Sequence, residues 1–245
     1  TGVNKWAYPT DGSIEGFTPV IADNGNLVLF GSKDQYFYGI NAKGGQEMWR
    51  YKADDPIFQT KAVLGPGMVY FCCKNGYVYG LDIKTGREMW RFRTERGIDR
   101  AYPVYANGFV YIASVDDRLY AINAATGLEA WNFRADTAIT STPACYGNMV
   151  YVSSRDGHFY AINGLNGARI WRARLDSDVV DTQPAFFENR AFYQTYVYIG
   201  TIKDCLYAFD AKTGAQAWRY RTDASVEKTY PVFYEGILYL GFLDK

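Results

Sequence analysis

"GLDIKTGREMW", residues 80–90, is the stretch on which the reading of the fold turns. Variants of it stand at 39–49 ("GINAKGGQEMW"), 121–131 ("AINAATGLEAW"), 161–171 ("AINGLNGARIW") and 208–218 ("AFDAKTGAQAW"). Each ends on tryptophan. The six tryptophans, Trp6, Trp49, Trp90, Trp131, Trp171 and Trp218, follow one another at intervals of 43, 41, 41, 40 and 47 residues. A period near 40 belongs to propeller blades or to paired-helix solenoids. The local pattern separates the two. Each period holds short aromatic and β-branched runs, such as "GFVYIAS" (108–114) and "RLYAIN" (118–123), broken by Gly, Asn and Asp. None sustains an apolar stripe at helical spacing, so the repeat is built from strands.

Within a period the pattern predicts four strands. An inner strand ends in a proline-containing stretch (Thr18-Pro19, Tyr102-Pro103, Thr142-Pro143, Gln183-Pro184, Tyr230-Pro231), and a hairpin such as Asn107-Gly108 leads to a second strand. A polar turn such as Arg155-Asp156-Gly157 leads to a third, and the shared segment turns into a fourth that carries the tryptophan. In that segment the Asn or Asp (Asn41, Asp82, Asn123, Asn163, Asp210) can bond turn amides, and the glycine four residues later can take a positive φ. The Ala or Gly at its head leaves room beside it. The tryptophan, burying roughly 150–250 Å², is a wedge between neighbouring sheets.

The fold expected is an all-β propeller of about six four-stranded antiparallel blades, closed by strands from both chain ends. The single domain 1–245 divides near 7–49, 50–90, 91–131, 132–171, 172–218 and 219–245 plus 1–6. Residues 1–6 match the tail of the shared segment, and "GFLDK" (241–245) matches "GSKDQ" (31–35). The 26 basic and 26 acidic residues cancel, which gives no reason to expect nucleic acid or an anionic membrane as partner. No apolar run is long enough to span a membrane.

The pattern Ala/Gly-x-Asp/Asn-x-x-Thr-Gly-x-x-x-Trp resembles the tryptophan-docking motif of the PQQ-like repeat β-propellers, and covers the whole chain. Gly44 and Asn166 replace the usual threonine in two copies. The resemblance implies one of two kinds of function. One branch contains quinoprotein alcohol dehydrogenases, which hold pyrroloquinoline quinone and calcium near the axis. The other contains cofactor-free scaffolds and sensors, including a lipoprotein of the outer-membrane β-barrel assembly machinery and extracytoplasmic kinase-linked domains. The latter implies a periplasmic or extracellular location. Cys72 and Cys73 evoke the vicinal disulfide of the dehydrogenases, but they align with small-residue slots elsewhere (Gly31-Ser32, Ala113-Ser114, Ser153-Ser154) and read as packing. The one histidine, His158, has no nucleophile elbow to serve. No catalytic, cofactor or metal residue is assigned.

Two surfaces remain. Charged residues at the starts of the inner strands, Glu15, Asp99, Arg100, Asp181, Glu227 and Lys228, would ring the mouth of the axial channel, as a ligand or peptide site or as a mutually neutralising rim. Between Pro184 and Val197 there are 13 positions where the third, fourth and sixth units take seven. That enlarged hairpin carries Phe192, Tyr193 and Tyr196, which read as partner-contact anchors or as cover for a blade edge. The function expected is a non-enzymatic scaffold for protein–protein interaction, with a quinone-dependent dehydrogenase and a ligand-sensing domain as alternatives.

Overall fold

The structure, a computed structural model, describes residues 5–99, 101–177, 183–189, 194–201, 205–222, 232–234 and 237–239. Successive units each supply an antiparallel meander. The first contains β1 (Val20–Ala22), β2 (Leu27–Gly31), β3 (Tyr36–Asn41) and β4 (Glu47–Lys52). The second contains β5 (Val63–Gly65), β6 (Met68–Cys72), β7 (Tyr77–Asp82) and β8 (Glu88–Arg93), and the third β9 (Val104–Ala106), β10 (Phe109–Ala113), β11 (Arg118–Asn123) and β12 (Glu129–Arg134). The fourth holds β13 (Ala144–Tyr146), β14 (Met149–Ser154), β15 (His158–Asn163) and β16 (Arg169–Arg174). The fifth holds β17 (Ala185–Asn189), β18 (Gln194–Thr201), β19 (Cys205–Asp210) and β20 (Gln216–Arg221), and a two-stranded sheet of β21 (Val232–Tyr234) and β22 (Ile237–Tyr239) follows.

Two expectations need correction. The described residues form five four-stranded sheets and one two-stranded sheet, not six complete blades, and among them no ladder joins the first sheet to the last. Lys5 and Trp6, the described part of the 1–6 segment read as closing the ring, lie in no ladder, and Trp6 is held to the first sheet by its indole, which donates to Ala42 O at 2.9 Å. Residues 1–4 and 240–245, on which closure was built, lie outside the described residues. The prolines also stand before the first strands rather than at their ends: Pro19, Pro103, Pro143 and Pro184 immediately precede Val20, Val104, Ala144 and Ala185. Proline has no N–H to give a ladder, so it fits just ahead of a strand.

The shared segment makes the same turn in each unit. Asp82 Oδ1 accepts the amides of Lys84 and Thr85 and the Thr85 hydroxyl, and Asp210 does the same with Lys212 and Thr213. Asn41 and Asn123 accept two amides each. The glycine amide closes the turn on the Asx carbonyl, as from Gly86 to Asp82 and from Gly127 to Asn123. At Asn166 the carboxamide oxygen accepts the Ala168 amide at 3.1 Å, as the Thr85 and Thr126 hydroxyls do for Arg87 and Leu128. A β-bulge then shifts the register one step before the tryptophan, so Trp90 pairs with Gly80 and Glu88 with Leu81. This re-aims the strand so that the indole faces the next sheet.

Burial follows the stacking. The four central residues of β3, β7, β11 and β15 are all buried, because sheets cover them on both sides. The fourth strands β4, β8 and β16 bury only the tryptophan. Phe37 of the first sheet lies parallel to Phe71 of the second with centroids 4.3 Å apart. The first strands of adjacent units approach one another, β5 with β9 and β9 with β13. Among the described residues no helix is long and apolar enough to cross a membrane.

Candidate functional site

Each junction between sheets joins three chemical groups. In the ladder, the small head residue of the shared segment stands between a second-strand residue and the tryptophan: Tyr70, Gly80 and Trp90; Tyr111, Ala121 and Trp131; Tyr151, Ala161 and Trp171. Above it the two rings meet, with centroids 5.5 Å apart for Tyr70 and Trp90 and 5.8 Å for the other two pairs. A side-chain carbon on Gly80 would fall 2.4 Å from the Trp90 ring. The indole then covers the turn glycine of the following unit: Trp49 over Gly86, Trp90 over Gly127, Trp131 over Gly167 and Trp171 over Gly214.

Both rings donate to one carbonyl of that following unit. Trp90 Nε1 and the Tyr70 hydroxyl reach Ala124 O at 2.9 and 3.1 Å. Trp131 and Tyr111 reach Gly164 O at 3.0 and 2.9 Å, and Trp171 and Tyr151 reach Ala211 O at 3.0 and 2.9 Å. A carbonyl oxygen has two lone pairs, and burial makes filling them worthwhile. In the first unit Leu29 takes the tyrosine position, and Trp49 Nε1 is buried with no hydrogen-bond partner.

Sequence reasoning found the tryptophans and missed the second-strand tyrosines. It also missed Tyr8. Trp6 covers Gly45 and donates to Ala42 O at 2.9 Å, while the Tyr8 hydroxyl donates to Glu47. Tyr51, two residues after Trp49, likewise donates to Glu88 of the following unit. The signal was a Trp-x-aromatic recurrence: Trp6-x-Tyr8, Trp49-x-Tyr51, Trp90-x-Phe92, Trp131-x-Phe133 and Trp218-x-Tyr220.

Of the expected rim, Glu15 and Asp99 are described; Arg100, Asp181, Glu227 and Lys228 lie outside the described residues. Glu15 is exposed and ion-paired with Lys33, whose hydrogen bond holds its carboxyl below the ordinary value. Lys33 and Lys74 both sit over the Phe58 ring, at 5.1 and 4.7 Å, and Lys74 donates to Gln59 Oε1 at 2.9 Å. Asp99 is half-buried and engaged with a neighbour. Of the hairpin residues, Phe192 and Tyr193 lie outside the described residues. Tyr196 is half-buried, donates to Gln194 Oε1 at 2.8 Å and packs against Tyr198 at 6.5 Å. The β17–β18 ladder runs for five pairs, where β5–β6, β9–β10 and β13–β14 have three.

Cys72 and Cys73 are free and buried. Cys72 Sγ lies 3.3 Å from Thr60 Oγ1 and Cys73 Sγ 3.6 Å from Asp55 O. Burial pushes the Cys72 thiol up to about 12 and raises that of Cys73 as well, so both remain thiols. Among the described residues no three His, Cys, Asp or Glu gather as a calcium site needs. His158 Nδ1 stays within its own turn, 3.2 Å from Asp156 Oδ1.

Among solved structures, BamB from Moraxella catarrhalis is similar with a TM-score of 0.73 and 17% identity, over 92% of this chain and 70% of that one. A quinohemoprotein alcohol dehydrogenase from Pseudomonas putida HK5 gives 0.69 and 16%, over 87% and 42%. A europium-containing methanol dehydrogenase gives 0.70 and 13%, over 90% and 53%. The chain therefore spans about half the length of the two dehydrogenases, and at such identities the likeness is one of fold. No curated protein sequence matches it. A family model described as outer membrane protein assembly factor BamB matches residues 74–185 and 167–242, most of the repeats. The chain belongs to the family of the outer membrane protein assembly factor BamB.

Proposed function

We propose that this chain is a non-enzymatic propeller-type scaffold that holds other proteins, working in the periplasm or outside the cell. The family match across most of the repeats carries the reading. The prolonged β17–β18 ladder supports it: it runs two pairs beyond the three of β5–β6, β9–β10 and β13–β14, and Tyr196, in its third pair, has a polar tip and an apolar body. Phe192 and Tyr193, from the same stretch of sequence, join Tyr196 as the contact group.

The alternative is a quinone-dependent dehydrogenase, favoured by the fold likeness to two such enzymes. One experiment separates the two. The chain and a Phe192→Ala, Tyr193→Ala, Tyr196→Ala variant are used as baits on a bacterial envelope extract, and both are incubated with pyrroloquinoline quinone and calcium before a dye-reduction assay with alcohols. The scaffold reading expects a protein recovered by the chain and lost by the variant, with no dye reduction by either. Equal recovery removes the hairpin from the reading, and alcohol-dependent dye reduction overturns the scaffold itself.

A further inference from the structure

The last strand of each complete sheet carries a charged face, and the sign pattern of that face breaks in the fourth unit. On β8 the residues paired with Leu81, Tyr79 and Tyr77 are Glu88, Arg91 and Arg93. Glu88 accepts the Tyr51 hydroxyl of the preceding unit and holds Arg91 at 2.8 Å, as Glu47 holds Arg50 at 3.7 Å on β4. β12 keeps the acid, Glu129, and has Asn132 in the arginine position. β16 keeps both bases and replaces the acid with a third. Its residues paired with Ile162, Tyr160 and His158 are Arg169, Arg172 and Arg174. Ile162, Tyr160 and His158 alternate along β15, so the three arginines share one face. All three are exposed, and among the described residues none is ion-paired.

The carboxylates around this face do not neutralise it. Arg91 reaches Asp54 at 2.7 Å and Arg219 reaches Asp176, each acid standing two residues after the preceding unit's last strand. Asp136 has that place ahead of β16 and, among the described residues, is in no ion pair. Asp156 is taken by the His158 amide at 2.8 Å and the Tyr160 hydroxyl at 2.6 Å. The fourth unit lies between complete sheets, with Trp131 over its own Gly167 and its Trp171 over Gly214. β16 ends its sheet, and its outer edge has no ladder partner among the described residues. Arginines on such an edge repel a like edge and favour an acidic one. Side chains on one face of a strand recur every second residue, so an adjacent strand with carboxylates at alternate positions sets them opposite Arg172 and Arg174. We infer that the edge of β16 is a docking site for an acidic polypeptide segment in extended conformation. The segment adds a fifth strand through main-chain hydrogen bonds, its carboxylates meeting Arg172, Arg174 and, past the bulge, Arg169. A phosphate surface has no main chain to pair with this edge, which is why a peptide fits it better. The site shares no residue with the β17–β18 hairpin, so either can fail without the other.

The probe is a fluorescently labelled peptide of alternating glutamate and threonine. Anisotropy with the whole chain is expected to show saturable binding that weakens as salt rises. An Arg169→Gln, Arg172→Gln, Arg174→Gln variant should bind about tenfold or more weakly, because its opposite-charge pairs are lost. An Arg50→Gln, Lys52→Gln, Arg93→Gln variant loses the same net charge from β4 and β8 and should bind as the parent does. The same peptide N-methylated along its centre keeps every carboxylate, cannot donate to the edge, and should fail to bind. That last comparison leaves the protein unaltered, so a folding defect cannot imitate it. Absence of binding, equal binding of the N-methylated peptide, or equal weakening in the two variants overturns the inference. Capture of phosphatidylglycerol vesicles through the three arginines of β16, with no competition from the peptide, also overturns it and assigns the face to a membrane.

Discussion

Gly127 and Gly108 share a left-handed backbone, at φ +73° and +81°, and differ in what faces them. Nothing lies within 4 Å of a side-chain carbon placed on Gly108, whereas one on Gly127 falls 2.6 Å from Cβ and Cγ of Trp90. Gly108→Ala should therefore cost only the left-handed penalty, about 1–2 kcal/mol. Gly127→Ala should add the displacement of a buried indole, for a total of about 2–5 kcal/mol. Urea midpoints of the two variants check this, and equal losses would show that the indole yields freely. The neighbouring Asx position adds a dependence on pH. The Thr85 hydroxyl, more than the turn amides, holds the Asp82 carboxyl below its ordinary value. A lowered carboxyl contributes fully above its unfolded value, about 4, and its contribution is lost as pH falls through the folded one. Asn41, Asn123 and Asn163 perform the same turn without a titrating group. Asp82→Asn is expected to melt like the parent at pH 7 and to lose less stability between pH 7 and pH 3. Parallel thermal melts with identical losses would exclude that role.

At the scale of the strand, the second and fourth strands of one unit act together on the third strand and turn of the next. Tyr151 and Trp171 both donate to Ala211 O, so removing either donor leaves the carbonyl one bond. Removing both leaves it buried and unsatisfied, which costs about 1–3 kcal/mol beyond the separate losses. Tyr151→Phe and Trp171→Phe should each cost about 1 kcal/mol for the hydrogen bond, and the double variant should exceed their sum. A double-mutant cycle by urea unfolding reads this directly; strict additivity would mean that another donor reaches the carbonyl. The same pairing shows how far the sequence could be read. Asx, Thr and Gly form bonds within five residues of one another, so their spacing alone exposed the turn and the strand after it. Tyr151 stands 20 positions before Trp171, and only the ladder, with Ala161 between them, brings the rings together. The prolines were misplaced for a related reason: a missing N–H marks a strand boundary but not which side of it the strand occupies. At the candidate rim, the partner of Glu15 is Lys33, from the turn between β2 and β3. Charge at the start of a strand carried no sign of that pairing.

Across the whole molecule each sheet touches mainly its neighbours, so stability is close to a sum of unit and junction terms. Interior junctions are then alike, and the last is set apart by its exposure. Trp90 is buried between the second and third sheets, bonded to Ala124 O and packed on Tyr70. Trp218 packs on Tyr198 within its own sheet, at 5.6 Å, and is 40% exposed. Truncating a buried tryptophan costs about 3–5 kcal/mol, as transfer free energy and residual cavity combine. Trp90→Ala should reach that range. Trp218→Ala leaves a notch that water fills rather than a cavity, and should cost well under half as much. Urea unfolding followed by far-ultraviolet circular dichroism on both variants at one protein concentration gives the comparison. The slope with urea adds a check, because a local opening of the last sheet exposes less surface than loss of an interior junction. Equal midpoint shifts would mean that the Trp218 face is covered in solution as fully as the interior ones.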